Sequence, residues 1–315
     1  MLHLLWLKIQ RMKKILFLVL ALLVVSCDDG DFIIEELSFD SNEIDNACGQ
    51  LTLYKISETG TEALILEING NDGSFLRDIE NQVDTTNFTI NNTSIKVLYR
   101  IFDNKVSADY FCQDVPPTTP QVTEEWFAPS GTIQVVTTLV EDDQDKIPFT
   151  EEGAVVLADG TIDKANSQNT DGDAFPDYLD LDDDGDNVPT SEEIDIVDNV
   201  PVFRDTDGDG IPNHLDPDDD NDGVLTIDED LNGDGNPAND TTVIDGVAVP
   251  NYLTAVTAVA NTNETIKLKN RYKQIYTSEI SFINGFQLEN GSEEIKYDVD
   301  QYIFGTYTIE NPVSE

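Results

Sequence analysis

Residues 205–229 read DTDGDGIPNHLDPDDDNDGVLTIDE, and their aspartates recur at fixed intervals. The second half, residues 218–229, fits the calcium-loop pattern D-x-[DN]-x-[DN]-G-x5-E at every specified position. Oxygen atoms at positions 1, 3, 5, 7 and 12 of such a loop can surround one hard cation, and the glycine at position 6 permits the sharp turn. The stretch therefore predicts two successive metal-binding loops, which begin at Asp205 and Asp218.

The same pair of loops occurs a second time in the chain. A shift of 36 residues superposes Asp171 on Asp207 and Glu193 on Glu229, and a shorter third unit begins at Asp230. Repetition at a fixed period is typical of modular arrays in which each unit packs against its neighbours. We therefore predict an array of metal-binding repeats over residues 163–240.

The predicted ligands are the side-chain oxygens at the loop positions. They are Asn169, Asp171, Asp173, Asp177, Asp180, Asp182, Asp184, Asp186 and Glu193, then Asp205, Asp207, Asp209, Asn213, Asp216, Asp218, Asp220, Asp222 and Glu229, then Asp230, Asn232 and Asp234. Asp177 and Asn213, at position 9 of their loops, are expected to bind through water. Asp183 and Asp219 alternate with the ligands, so we expect them to point away from the ion and to be solvated.

The charge of the array explains why it needs cations. Residues 163–240 hold 26 acidic and two basic side chains, so most acids have no basic partner. At ~4 Å each pair of like charges costs about 1 kcal/mol even in water, and many such pairs exceed the ~5–15 kcal/mol stability of a typical domain. With cations, binding energy becomes folding energy. An acidic disordered linker is the alternative, but a linker needs negative charge and not a fixed register.

The spacing of the loops disfavours paired EF-hands, because residues 213–217 are too few for the flanking helix of that motif. The short back-to-back loops and the D-x-D-G-x-P signature at residues 207–212 resemble the thrombospondin type 3 calcium repeat. The resemblance covers about a quarter of the chain and implies several Ca²⁺ ions wound into the backbone, with little hydrophobic core. It also leaves open that the loops recruit Asp183 and Asp219, since thrombospondin-like loops can use such residues. Residues 169–240 lack the cysteines that such repeats usually carry, so no disulfide is implied there.

The N-terminal residues are typical of a lipid-anchored envelope protein. Residues 12–27 carry two lysines and then an apolar run that is too short for a membrane-spanning helix. We predict a signal peptide over residues 1–26, with the natural start at Met12. The run resembles a bacterial lipobox, which implies that Cys27 is acylated and that residues 27–46 form an acidic tether. We expect an outer-membrane lipoprotein exposed at the cell surface, with the periplasmic face as the alternative.

Outside the array the sequence has β-strand patterns. Residues 47–150 are predicted as a β domain and residues 250–315 as a β segment, in which Asn284-Gly285 and Asn290-Gly291 predict hairpin turns. That segment would make a thin sheet by itself. The predicted fold class is therefore mainly β, a β-sandwich-like domain into which the irregular calcium-binding array is inserted, so that residues 132–140 continue with residues 272–282. Two separate β domains are the alternative.

Cysteine and tryptophan residues give two further predictions for the β flanks. Cys48 and Cys112 would lie in an oxidising compartment, which predicts a disulfide between them worth roughly 2–4 kcal/mol. Trp126 is expected to anchor the core rather than to form an exposed sugar platform.

Composition excludes several classes of function. The net charge of −46 makes nucleic acid and anionic membrane surfaces poor partners. His3 and His214 are the only histidines. After removal of the signal, His214 is the one that remains, and it lies inside a predicted calcium loop. A Ser-His-Asp or Cys-His system would therefore lack its base. We expect no enzymatic activity, although a glycoside hydrolase based on two carboxylates remains a less favoured alternative.

Two functions remain after these exclusions. In the first, a calcium-stiffened surface lipoprotein presents a β domain for adhesion or surface assembly, and contacts the membrane through Cys27. In the second, it is an accessory lipoprotein that binds a glycan or nutrient. Exposed aromatic side chains in the β flanks would favour the second. Either function implies a protein or glycan partner at the cell surface.

Overall fold

The computed structural model describes residues 37, 39, 41–47, 51–79, 82–113, 115, 117–262, 266–291, 293–297 and 299–314. The predicted signal peptide, Cys27 and Cys48 lie outside the described residues, as does most of the predicted tether. Within the described part, no helix is both long and apolar enough to cross a membrane.

The chain forms fifteen β-strands within the described residues. In chain order they are β1 (Asp45–Asn46), β2 (Thr52–Ile56), β3 (Glu62–Ile68), β4 (Val83–Thr89), β5 (Ile95–Phe102), β6 (Val122–Phe127), β7 (Thr132–Asp142), β8 (Ile194–Val197), β9 (Val200–Phe203), β10 (Thr241–Ile244), β11 (Val247–Pro250), β12 (Arg271–Ile283), β13 (Phe286–Asn290), β14 (Glu293–Tyr297) and β15 (Gln301–Ser314).

Helical structure is limited to single turns. One is an α-helical turn, α1 (Thr190–Glu193). The others are 3-10 turns at Ser74–Leu76, Ala108–Tyr110, Lys164–Asn166, Asp177–Leu179, Asn213–Leu215, Thr226–Glu229, Pro237–Asn239 and Asn251–Leu253. Most of these turns lie within residues 143–270, which we call the acidic segment, where they close the loops.

Two antiparallel sheets face each other. One has the order β1-β2-β3-β5-β6-β13-β14, and the other has the order β15-β12-β7-β4. Period-2 alternation in β7 buries Ile133 and Val135 on the inner face, where they join Leu64 and Leu66 of β3 and Phe282 of β12. The prediction of a mainly β, sandwich-like fold is confirmed.

Strand β3 is buried on both faces, which explains its nearly continuous apolar sequence EALILEI. Its inner side chains join the main core, and on the outer face Ala63 and Ile65 pack with Tyr54 and Tyr110 in a second cluster. Trp126 is 6% exposed and belongs to the main core, as expected.

The turn at Asn284-Gly285 does not form the predicted hairpin. It joins β12 of the four-stranded sheet to β13 of the seven-stranded sheet, so the chain crosses the core at this corner. Phe282 and Phe286 on either side stack at 4.7 Å between ring centroids, which places one ring from each sheet in the interior. Asn290-Gly291, by contrast, connects the antiparallel neighbours β13 and β14.

The acidic segment leaves and re-enters the sandwich at neighbouring strands. Strand β7 precedes this segment and β12 follows it, and the two pair antiparallel along all 11 residues of β7. Between them, residues 143–270 contain the acidic loops and two small hairpins, β8–β9 and β10–β11. The hairpins lie at the ends of the repeats, at positions that the sequence analysis did not recognise as strands.

Residues 254–262 and 266–270 return along the loops toward β12. Asn261 Nδ2 donates to the carbonyl of Asp230 at 2.6 Å, and Asn187 Nδ2 donates to the carbonyl of Ile266 at 2.6 Å. Asn270 Nδ2 donates to the carbonyl of Leu179 at 2.7 Å. Side-chain amides therefore hold this return segment to the repeats in place of a β ladder.

Candidate metal centres

Two loops, residues 182–193 and 218–229, share one hydrogen-bond pattern. In the first, Asp186 N donates to Asp184 Oδ1 at 3.3 Å, and Val188 N donates to Asp186 Oδ1 at 2.7 Å. In the second, Asp222 N donates to Asp220 Oδ1 at 3.1 Å, and Val224 N donates to Asp222 Oδ1 at 2.9 Å. In each of these carboxylates, one oxygen accepts from the backbone and shapes the loop, which leaves the other oxygen available to a cation.

The second oxygens lack hydrogen-bond partners among the described residues. They are Asp184 Oδ2, Asp186 Oδ2, Asp220 Oδ2, Asp222 Oδ2, Glu229 Oε1 and both oxygens of Glu193. Carboxylate oxygens of Asp182, Asp184 and Asp186 lie within 4.8 Å of one another. Buried acceptors without a donor are costly, and several in one place indicate a cation.

Burial and mutual repulsion both disfavour ionised acids in these loops when no cation is bound. Burial, and then the charges of Asp220 and Asp222, raise the pKa of Glu229 to about 8. Burial and the charge of Asp182 raise the pKa of Asp184 to about 8. A divalent cation among these groups would reverse both effects, because it favours the ionised form.

Asp219 and Asp183 correct the sequence analysis, which expected them to be solvated. Both are only 2% exposed. Asp219 joins Asp186 and Glu193 in a group whose oxygens lie within 4.8 Å of one another. The expectation failed because side chains alternate strictly between two faces only in an extended strand. Asp183 and Asp219 stand at position 2 of loops that turn, and this position faces the preceding loop. One repeat therefore contributes a carboxylate to the site of the repeat before it.

The loops at residues 169–180 and 205–216 are more open. Asp205, Asp207 and Asp209 form a solvent-exposed group, and Asp171, Asp173 and Asp180 form a partly buried one. The loop pattern is retained, since Asp209 N donates to Asp207 Oδ1 at 2.9 Å and Ile211 N donates to Asp209 Oδ1 at 2.8 Å. The Asp209 amide also lowers the pKa of Asp207.

The flanking ligands predicted for these open loops have protein contacts. Asn169 Oδ1 accepts from Gly172 N at 2.6 Å, and Asp216 Oδ1 accepts from Asp218 N at 3.1 Å. These single contacts leave further lone pairs for an ion.

The two residues predicted to bind through water hold the loops together instead. Asp177 accepts from both the backbone N and the hydroxyl of Thr170, at 2.7 and 2.8 Å. Asn213 accepts from Thr206 N at 2.9 Å and donates to Asp219 Oδ2 at 3.1 Å. Their polar atoms are engaged in these contacts, which favours a structural role.

The third unit is closed by an acid that the sequence analysis missed. Asp230 is fully buried and accepts from the backbone N of Gly233, Asp234 and Gly235 at 2.9, 3.2 and 2.7 Å. Asn232 Nδ2 donates to Asp240 Oδ2 at 3.1 Å. Asp240 therefore completes this unit, although its distance from the recognised pattern hid it.

A second missed group lies before the predicted array. Asp143, Asp145 and Glu152 are buried, and their carboxylate oxygens lie within 4.8 Å of one another. The signal in the sequence was Glu152, at position 12 of a loop that begins at Glu141. A pattern that requires Asp at position 1 and Gly at position 6 does not detect this loop, which has Glu141 and Lys146 there.

Two residues with other chemistry do not face a metal site. His214 stacks on Phe203 at 4.8 Å between ring centroids, and burial lowers its pKa to about 4. Cys112 is in a disulfide, while its predicted partner Cys48 lies outside the described residues.

The groups described above could hold metal ions through carboxylate oxygens alone, and one of them, Asp186, Glu193 and Asp219, combines residues from two loops. Comparisons with protein-family models, with curated proteins and with solved structures found no match to this chain.

Proposed function

We propose that this is a calcium-binding, lipid-anchored protein of the cell envelope. Its acidic loops form a calcium-stiffened module, and its β-sandwich is presented for adhesion or surface assembly. One observation carries the proposal: the loops at residues 182–193 and 218–229 hold buried carboxylate oxygens without hydrogen-bond partners among the described residues, and Asp186 and Glu193 of the first loop group with Asp219 of the second within 4.8 Å. The role is one of binding and presentation and not of catalysis.

The donor chemistry favours calcium over other metals. Residues 143–270 have no cysteine, and their one histidine, His214, stacks on an aromatic ring. Oxygen-only sites select hard cations. Calcium takes 6–8 oxygens in flexible geometry, whereas magnesium requires a near-ideal octahedron and retains water. Irregular loops that supply many carboxylates fit the former.

The stiffness would come from ions shared between repeats. Asp219 of one repeat groups with Asp186 and Glu193 of the repeat before it. Among the described residues of the acidic segment, seven apolar side chains are buried: Ile147, Tyr178, Leu179, Leu181, Val188, Ile194 and Tyr252. An ion bound between repeats therefore replaces much of the packing that a hydrophobic core would supply. Extracellular calcium modules bind at about 10⁻⁴–10⁻³ M, so environmental calcium would keep them filled.

The burial of Trp126 bears on the alternative of glycan binding. Stacking on sugar needs an exposed aromatic face, but Trp126 is 6% exposed and packs in the sandwich core. Phe127 of β6 is 38% exposed, but single exposed hydrophobic side chains are normal at protein surfaces. We therefore favour presentation of the sandwich, through the predicted anchor at Cys27, over a sugar-binding platform.

Calcium titration tests the binding function. The purified protein is stripped with a chelator and titrated with calcium by calorimetry, while circular dichroism and thermal melting are recorded before and after. We expect saturable binding and a large rise in melting temperature, with a smaller effect of magnesium at the same concentration. A melting temperature that is unchanged by removal of divalent ions contradicts the proposal.

The anchor and the adhesive role need cellular tests. Cys27→Ser should abolish incorporation of labelled palmitate and release the protein from the membrane fraction.

Cells that carry the unaltered protein should attach to surfaces more strongly in millimolar calcium than in chelator, and the Cys27→Ser cells should not. Attachment that is equal with and without calcium excludes the adhesive role.

A further inference from the structure

The loop that follows β7 has the ligand spacing of the buried array loops. Residues 141–152 read EDDQDKIPFTEE, and residues 182–193 read DDDGDNVPTSEE. The correspondence places Asp143 on Asp184, Asp145 on Asp186 and Glu152 on Glu193. None of the three earlier residues is among the ligands predicted from the sequence.

The backbone of this loop repeats the contacts of its counterparts. Asp145 N donates to Asp143 Oδ1 at 2.9 Å, and Ile147 N donates to Asp145 Oδ1 at 2.7 Å. Lys146, at position 6, has φ 91°, close to the 92° of Gly223 at the same position of its own loop. A lysine is rarely found in this left-handed region, so the fold imposes the loop shape on a residue that does not favour it.

The remaining oxygens point to a ligand. Asp143, Asp145 and Glu152 are 7%, 1% and 5% exposed. Asp143 Oδ2, Asp145 Oδ2 and Glu152 Oε1 have no hydrogen-bond partner within the part of the chain that the structure describes. No lysine or arginine of that part forms an ion pair with any of the three.

The first repeat of the array offers a fourth carboxylate, Asp183. Asp183 is 2% exposed, and its Oδ1 has no hydrogen-bond partner among the described residues. Asp183 holds position 2 of its loop, the position that Asp219 holds in the loop of residues 218–229, and Asp219 groups with the acids at positions 5 and 12 of the loop before it, Asp186 and Glu193. Asp183 thus stands to this loop as Asp219 stands to Asp186 and Glu193 one repeat later.

We propose that Asp143, Asp145, Glu152 and Asp183 bind a further divalent cation of the calcium class, at the junction between the sandwich and the array. The site shares its chemistry with the proposed function but uses none of the ligands predicted from sequence. Because this loop continues β7 directly and Asp183 belongs to the first repeat, the ion would fix the array to the sandwich.

The surroundings of the site fit this assignment. Asp143 and Asp145 line a cleft of about 410 Å³ between the loop and the start of β12, which gives an ion a route to the site. Glu141, at position 1 of the loop, is engaged elsewhere, since it pairs with Lys164 and accepts from Gln274 Nε2 at 3.0 Å. The four proposed carboxylates are therefore the available ligands.

The test compares calcium stoichiometry among variants of the purified protein. Equilibrium dialysis against millimolar calcium, with atomic emission of the protein compartment, counts bound ions. Glu152→Gln and Asp183→Asn should each bind one ion fewer than the unaltered protein, and the double variant should lose that same single ion. Glu151→Gln is the matched control, because Glu151 is exposed beside Glu152, and should bind the full number.

Hydrogen exchange gives a local readout of the same site. Calcium should slow exchange of the amides at the junction, residues 141–147 and 271–274, in the unaltered protein and in Glu151→Gln but not in Glu152→Gln. Asp183→Asn lies in a different loop and gives the answer if Glu152→Gln does not fold.

The outcomes separate this proposal from the broader one. If Glu229→Gln loses one ion while Glu152→Gln and Asp183→Asn lose none, the four acids share protons instead of a metal; the junction site is then overturned and the array function stands. If the unaltered protein binds no calcium, both are overturned.

Discussion

Glu229 ends the loop that begins at Asp218, and its surroundings explain why we propose that it binds a metal ion. The side chain is 1% exposed, and Oε1 has no hydrogen-bond partner among the described residues. In water each carboxylate would be ionised and hydrated near neutral pH. In the fold it is surrounded by other acids, so its ionised form requires a cation nearby.

Glu229→Gln should therefore weaken calcium binding without harming the metal-free protein. When calcium is present, the change removes an anionic ligand and so weakens binding. When calcium is absent, it removes a buried acid that has no counterion, so the metal-free protein does not lose stability. At a calcium concentration about 100 times the Kd of one site, loss of that site costs about 2.7 kcal/mol. Denaturant titration with and without calcium measures both effects.

Asp228→Asn is the matched control for that prediction, because Asp228 precedes Glu229 and its side chain is half-buried outside the described acid groups. Equal loss of calcium-dependent stability in both variants would show that Glu229 has no special role.

The buried acids also predict opposite responses to pH with and without metal. Burial first, and then the neighbouring charge of Asp216 for Asp219 and of Asp220 for Glu229, raises the pKa of each group to about 8. Unfolded carboxyl groups ionise near pH 4. The folded, metal-free protein therefore binds protons that the unfolded chain releases, so this contribution to stability is lost as the pH rises from about 4, where the unfolded groups ionise, to about 8, where the folded groups ionise.

In saturating calcium the same carboxylates are held ionised, and protons compete with the metal. Stability of the calcium-bound protein should fall as pH decreases from 7 toward 5, the reverse of the metal-free trend. Urea unfolding across this range in calcium and in chelator checks the prediction. The same slope in both conditions would mean that these groups do not bind the ion.

At the scale of elements, the acidic segment is held together by loops and amides rather than by helices or broad sheets. Asn270 shows this arrangement where residues 266–270 rejoin the sandwich. Its Oδ1 accepts from Leu181 N at 3.1 Å, and its Nδ2 donates to the carbonyl of Leu179 at 2.7 Å. One buried amide thus links the start of β12 to the first repeat.

Asn270→Ala should loosen this link. It would leave a buried N–H and a buried carbonyl without partners, at about 1–3 kcal/mol for such a group. We expect a loss of stability of about 2 kcal/mol and faster hydrogen exchange at Leu181. Lys269→Ala, at an exposed neighbouring position, should change little. Comparable losses in the two variants would argue against the amide link.

At the scale of the whole molecule, a sandwich with an apolar core is joined to a segment that depends on charge compensation. With 26 acidic and two basic side chains, residues 163–240 carry −24 of the net charge of −46, and little buried apolar surface opposes their repulsion. The sandwich does not have this dependence, because its two sheets share one hydrophobic core. The two parts should therefore respond differently to chelation.

Limited proteolysis in chelator should cut within residues 163–253 and leave the sandwich resistant. The two fragments should remain together under native, non-reducing conditions, because β7 and β12 pair along the whole of β7. Native electrophoresis of the digest tests this, with a calcium-saturated digest as the control. Fragments that separate would show that the sandwich does not hold across the cut.

The acidic loops and their candidate ligands could be recognised in the sequence because their pattern is local. Asp218, Asp220 and Asp222 lie within a few residues of one another, so the spacing alone indicates one cation. Strand β7 could be predicted for the same reason, since its alternation is a property of a short segment. The junction loop escaped detection because Glu141 and Lys146 replace the residues that the local pattern requires.

The sequence by itself therefore determined the β character of the flanks and the spacing of the repeated acidic loops. The tertiary structure alone decided that Asp183 and Asp219 turn inward, that the chain crosses between sheets at Asn284-Gly285, and that the loop after β7 meets the first repeat. The physical reason is that periodicity fixes which residues share a face of one element, whereas the direction of a turning loop depends on the neighbour it packs against. The burial of a carboxylate between two loops is a property of both loops together, and no window of sequence contains it.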